Sequence, residues 1–155
     1  KTKLESENIL IGSNKKYLIF RTNVLFSDRL GDNNFFSWTI NMLKKNKPFR
    51  VVDDQISNPT YTKTLVEAIY KGILLNLNGL YHIGSSEFLS RFDFALLIAK
   101  VFCYNHSIIS PNKSEDLKQN ALRPKNSGLK IDKIIKEGLI EKHSLKYILQ
   151  KIRNS

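Results

Sequence analysis

Arg50-Val-Val-Asp-Asp-Gln-Ile-Ser-Asn-Pro-Thr-Tyr61 compresses a change of secondary structure into one short tract. Phe49-Arg-Val-Val52 is an apolar run of strand character. It runs into two carboxylates, a polar loop and Pro59. An amphipathic helix is then expected over Thr60–Leu75, with Leu65, Ala68, Ile69, Gly72 and Ile73 on one face. Thr60 is the natural cap of that helix, and Pro59 stiffens the approach to it. Neighbouring residues at a strand end point to opposite faces, so Asp53 and Asp54 are not expected to converge as an acid–base pair. Loop shaping and pocket walls are the expected roles of the tract.

Working outward, strand and helix alternate. Thr2–Ile11 reads as a helix ended by Gly12-Ser-Asn14, since Gly and Asn tolerate the left-handed conformation. Lys16–Arg21 is a continuous apolar run, expected as a strand buried on both faces. Asp28–Asn34 is a loop of turn formers. Phe35, Trp38, Met42 and Leu43 recur at helical spacing over 35–45, and lysines crowd the end of that helix, as its dipole favours. Leu80–Ile83 is a further strand. Ser90 caps a helix over 91–102. Later the order becomes less regular. Pro111–Ser114 is expected as a loop, 121–128 as an extended stretch around Pro124, and two short helices near 131–137 and 144–152. This alternation predicts an α/β fold with parallel crossovers.

Composition narrows the classes. The chain has 155 residues and a formal net charge of +11. Its lysines are spread along the chain rather than gathered into a block, so a solvated surface is expected and nucleic acid is not. No apolar run approaches the ~20 residues of a membrane span, and no signal-peptide core follows the charged start. The first residue is Lys rather than Met, as in an excerpt of something longer. Cys103 is the single cysteine, and its apolar context predicts a small core residue in a reducing, cytoplasmic setting. The three histidines share no motif, and no spacing of Cys and His predicts a metal site. The glycines are isolated, with no glycine-rich turn for a dinucleotide pyrophosphate.

Composition and spacing do not specify a reaction, but four segments carry a resemblance. They are Lys1-Thr-Lys-Leu-Glu-Ser-Glu-Asn8, Phe20-Arg-Thr-Asn-Val-Leu-Phe26, the opening tract with its Asp54-Gln55 and Pro59-Thr60, and Ala121-Leu-Arg-Pro-Lys-Asn-Ser-Gly-Leu129 with Lys133 beyond it. Leu80-Tyr-His-Ile-Gly84 and the helix Arg91–Ala99 fit the same order. Together they resemble the dTDP-4-dehydrorhamnose reductase family of extended short-chain dehydrogenases.

The resemblance implies the C-terminal part of such an enzyme: residues 1–155 as one region, the end of an incomplete Rossmann-like parallel sheet interleaved with a small α/β substrate-binding region. It implies hydride transfer from NADPH or NADH to a 4-keto nucleotide sugar, in rhamnose precursor synthesis, and is compatible with a homodimer. Lys3 falls on the family's catalytic lysine, which also contacts the cofactor, and the tyrosine partner would lie four positions earlier. Asn23 and Val24 are implied on the cofactor side. Leu25, Phe26, Asn58, Thr60 and Arg123 are implied around the substrate. For Arg123 a buried ion pair is the competing structural role. The rhamnose reductases usually carry Trp at the position of Val24 and Tyr at that of Phe26, which puts the rhamnose substrate in question. The regulatory subunit of methionine adenosyltransferase is similar in this region, so a non-catalytic relative acting through a protein partner is the alternative.

Overall fold

The computed structural model describes residues 2–29, 31, 33–117 and 123–155. In chain order these give α1 (Thr2–Gly12), β1 (Leu18–Thr22), β2 (Leu25–Phe26), α2 (Phe35–Lys44), β3 (Phe49–Val52), β4 (Ile56–Ser57), β5 (Thr60–Tyr61), α3 (Thr62–Leu74), β6 (Gly79–Ile83), β7 (Leu89–Ser90), α4 (Arg91–Val101), β8 (Ile109–Asn112), α5 (Asp132–Lys136) and α6 (Leu145–Arg153). The fold is α/β. β1 runs parallel to β6, β3 to β8 and β2 to β5, and β4 is antiparallel to β7.

Two apolar clusters hold these pairs. Beneath β1 and β6, Tyr81 and Ile83 meet Ala68 of α3, Ile134 of α5, and Leu139 and Ile140. Gly72 lets α3 lie close on the sheet, because a Cβ there would sit 2.8 Å from the Leu18 side chain. Lys133, the last residue of the family-like segment, donates to the Leu80 carbonyl at 2.9 Å and lies 3.9 Å from the Tyr81 ring centroid, so it docks α5 on β6. The second cluster joins Phe26, Phe36, Ile40, Phe94, Ile98 and Leu149 around β3 and β8.

Helix starts follow local chemistry. Asn34 Oδ1 accepts the Ser37 N–H at 3.0 Å and opens α2. Ser90 caps α4 as expected, through a reciprocal box with Asp93. Asn14 takes the left-handed conformation after α1.

Several expectations are corrected. The helix after the opening tract begins at Thr62, and Thr60 does not cap it; Thr60–Tyr61 is instead a strand against β2. Pro111 lies in β8, opposite Val51, because the two-stranded β3–β8 pair leaves an outer edge that needs no proline N–H. β1 is only half-buried, with Arg21 exposed. In α2 the inward face is Phe36, Ile40 and Leu43, while Trp38 is 42% exposed. Cys103 is exposed and left-handed just beyond α4, so it belongs to a helix end rather than the core. Ala121 and Leu122 of the extended stretch, and Leu30 and Asp32 of the loop before α2, lie outside the described residues. Among the described residues no helix is long and apolar enough to cross a membrane, and no group of three His, Cys, Asp or Glu side chains is placed to hold a metal.

Tyr81 gives the fold a pH signature. Its hydroxyl donates to Glu137 at 2.6 Å, and burial, reinforced by that carboxylate, pushes the phenol up to about 12. An unfolded phenol ionises near ~10, so above that pH the folded state holds the extra proton and stability falls as pH rises. Tyr81→Phe is expected to flatten the fall in urea midpoint between about pH 9.5 and 11.5. Identical slopes in the two proteins would refute this.

Candidate nucleotide-binding site

In open α/β sheets ligands gather beyond the carboxyl ends of the strands. Here those ends are stitched together by side chains. Thr22 Oγ1 donates to Thr60 Oγ1 at 2.7 Å, and Thr60 Oγ1 donates to the Ile83 carbonyl at 3.1 Å. The Thr60 N–H donates to the Val24 carbonyl at 3.2 Å. Val24 holds this turn at φ 41°, a left-handed position that a β-branched residue rarely takes.

Residues 123–129 form an arm beside β4. The Ile56 N–H donates to the Lys125 carbonyl at 2.7 Å, and the Ser127 N–H returns to the Ile56 carbonyl at 2.9 Å. Gly128 lies flat on Phe88, where a Cβ would come within 2.2 Å of the ring.

The arm, the β1 end and the start of α4 enclose a trough. One recess of about 240 Å³ is lined by Asn23, Val24, Gln55, Arg91, Arg123 and Ser127. A second, of about 280 Å³, shares Gln55, Arg91 and Arg123 and adds Phe35, Trp38 and Arg50. Arg91 lies over Phe35, 5.2 Å from the ring centroid. Burial, and then the charge of Arg123, hold its pKa below the usual guanidinium range. Among the described residues no carboxylate lies within ion-pair distance of Arg50, Arg91 or Arg123. Guanidinium groups beside exposed aromatic surface have the chemistry that a phosphorylated, planar ligand calls for. A groove of about 400 Å³ between α3 and α6 is larger, but its lysines are engaged: Lys63 with Asp28 and Lys151 with the Tyr147 ring.

The residues expected from sequence divide. Val24 and Arg123 line the trough; Arg123 is exposed rather than buried, and among the described residues it has no ion-pair partner. Asn23 lines it too, but its Nδ2 donates to the Ser127 carbonyl at 2.5 Å, and its buried Oδ1 has no hydrogen-bond partner among the described residues. Leu25 is exposed on the same turn. Phe26 is 1% exposed and packs among Phe36, Tyr61 and Phe94, so it is a core residue rather than a substrate contact. Asn58 and Thr60 are also fully buried, with side chains bonded internally, and cannot touch a ligand directly. Lys3 is exposed on α1 and lines neither recess. That helix buries no residue and is tied to β1 by Glu7 and Arg21. Asp53 and Asp54 diverge as expected. Asp53 pairs with Lys113 at 2.9 Å, and Asp54 accepts from Ser114, which lowers its pKa.

Sequence reasoning missed Phe35, Trp38, Arg50 and Arg91. One signal for Arg91 was legible: a cation directly after an N-cap opposes the helix dipole, which needs a compensating role.

The family profile described as RmlD substrate binding domain matches residues 1–155. The chain belongs to this family. A spore coat polysaccharide biosynthesis protein of Bacillus subtilis, SpsK, is 30% identical over 143 residues, covering 92% of this chain and 49% of its own length. A dTDP-4-dehydrorhamnose reductase of Aggregatibacter actinomycetemcomitans is 30% identical over 146 residues, covering 86% of this chain and 49% of its own. The crystal structure of a Bacillus anthracis dTDP-4-dehydrorhamnose reductase in complex with NADP superposes with a TM-score of 0.87 at 29% identity, covering 97% of this RmlD-type chain and 52% of that one. The chain thus spans about half the length of the curated relatives it matches.

Proposed function

We propose that this RmlD-type chain is the nucleotide-sugar-binding part of an NAD(P)-dependent reductase that passes a hydride to a 4-keto nucleotide sugar of the dTDP class. The reading rests on Arg91 and Arg123, two guanidinium groups in a trough beyond the strand ends with no carboxylate partner among the described residues. They take the diphosphate, with Arg50 adding to the positive field. Phe35 and the exposed face of Trp38 offer apolar surface to the base. The sugar then lies toward Asn23, Val24 and Leu25.

The cofactor, NADPH or NADH, supplies the hydride when bound. The residues present fit it in part. Lys3 is an exposed ammonium available to a ribose, but the 155 residues contain no glycine-rich turn for the pyrophosphate. Binding and orienting the nucleotide sugar is therefore the share of the reaction assigned to this chain.

Isothermal titration with dTDP-glucose tests the reading. Binding tighter than about 1 mM is expected, with a rise in melting temperature that follows ligand concentration. Thymidine and glucose are expected to give neither. Absence of dTDP-glucose binding would overturn the proposal.

A further inference from the structure

Asn58 belongs to the family-like tract, yet it is wholly buried and its amide is fully engaged. Oδ1 accepts the Leu129 N–H at 2.9 Å, and Nδ2 donates to the Leu129 carbonyl at 2.9 Å. One side chain thus reads both polar groups of one residue, as a neighbouring strand would. The second Nδ2 hydrogen reaches the Ser85 carbonyl at 3.1 Å, just beyond β6. The second lone pair of Oδ1 faces Asn23 Nδ2 at 3.4 Å, just beyond β1. Asn23 in turn holds the Ser127 carbonyl. Gly84 leaves the room required, since a Cβ there would stand 2.5 Å from Asn58 Nδ2.

An amide has two donors and two acceptor sites. Asn58 directs all four to three separate places: the β1 end, the β6 end and, with two bonds, the arm. No other residue type of this size offers that set. Aspartate has the shape without the donors, and leucine has neither.

We infer that Asn58 is a positioning residue, which fixes the arm and hence Arg123 at the distance from the strand ends that a nucleoside diphosphate spans. The inference rests on the trough reading above and deepens it. The amide touches no ligand; it sets the trough's width by clamping Leu129, six residues along the arm from Arg123. Every contact that holds it is short-range and directional, so an altered donor pattern moves the arm without emptying a core.

Asn58→Asp provides a test with a pH readout. At pH 8 a carboxylate faces the Leu129 and Ser85 carbonyls, and both donors are gone. Burial and those carbonyls raise its pKa, so acidification protonates it and returns one donor. The affinity of Asn58→Asp for dTDP-glucose, whose diphosphate does not titrate in this range, is expected to be about tenfold or more below the unsubstituted chain at pH 8. At pH 5.5 it is expected to return to within about threefold, while the unsubstituted chain stays level.

Unchanged affinity at pH 8 would overturn the inference. So would a loss of equal size at both pH values with a native circular dichroism spectrum. Should Asn58→Asp fail to fold, Gly84→Ala carries the test by displacing the same amide. A weakened, pH-independent affinity is expected there, and an unaltered one refutes the role. If the unsubstituted chain does not bind dTDP-glucose, the trough reading itself has failed; if it binds and both variants match it, only the Asn58 role has failed.

Discussion

Replacing Arg91 by Met is expected to weaken dTDP-glucose binding about a hundredfold while leaving the unliganded chain as stable as before, or slightly more so. The two halves of this result have one cause. Arg91 is partly buried, has no carboxylate partner among the described residues, and shares its recess with Arg123. Its lowered pKa reports a cation that the unliganded fold accommodates at a cost, through burial first and like charge second. A diphosphate removes that cost and adds bidentate hydrogen bonds, so the interaction is worth more in the complex than in the free chain.

Met keeps the apolar contact with Phe35 but removes the charge. Arg91→Lys is expected to recover only part of the affinity, since an ammonium lacks the planar fork. Arg123→Ala is expected to be milder, about tenfold, because that side chain is exposed and its gain is screened. Titration calorimetry and thermal unfolding on the same samples decide the matter. A stability loss of several kcal/mol in Arg91→Met would make Arg91 a structural residue, and unchanged affinity would remove it from the site.

The opening tract shows how far sequence carried and where it stopped. The strand at its start and the helix after it were legible because apolar periodicity and Pro59 are local signals, whereas the short strands β4 and β5 between them were not. That Asp53 and Asp54 would diverge was legible from strand geometry. The roles of Asn58 and Thr60 were not, since their partners lie at Ile83, Ser85 and Leu129, and only the folded chain brings those together. Phe26 misled for the same reason. A residue next to a ligand-facing turn looks like a ligand contact until Phe36, Tyr61 and Phe94 close around it. In α2, the spacing of Phe35, Trp38, Met42 and Leu43 gave the helix and the buried Leu43, but missed Phe36 and Ile40 and did not foresee that Trp38 faces outward. Phe36 and Ile40 are equally apolar, and the packing against α4 chose them. That choice turned Trp38 outward and made it available to the trough.

Phe94→Ala is expected to lower the stability of the chain by about 3–5 kcal/mol, close to the limit a small domain can lose and still fold. Phe94 is 1% exposed and sits in the first turn of α4, immediately beneath the cap formed by Ser90 and Asp93. Its ring meets Phe26 edge-on at 5.3 Å and stacks on Phe35 at 5.8 Å. Truncation removes the transfer free energy of the ring, leaves a cavity between elements that cannot close independently, and forfeits two ring pairs worth about 0.5–1.5 kcal/mol each.

The consequence reaches the trough through Phe35, whose ring carries both the stack on Phe94 and the guanidinium of Arg91. In a Phe94→Ala chain that remains folded, dTDP-glucose affinity is therefore expected to fall as well, although Phe94 lines neither recess. Phe94→Leu keeps most of the volume and is expected to lose less stability and little affinity. Val66→Ala, on the exposed face of α3, is the matched control and should stay within about 0.5 kcal/mol. Urea unfolding gives the four stabilities directly. A loss below about 1.5 kcal/mol in Phe94→Ala would show that the aromatic cluster is not what holds α4 and α2 together.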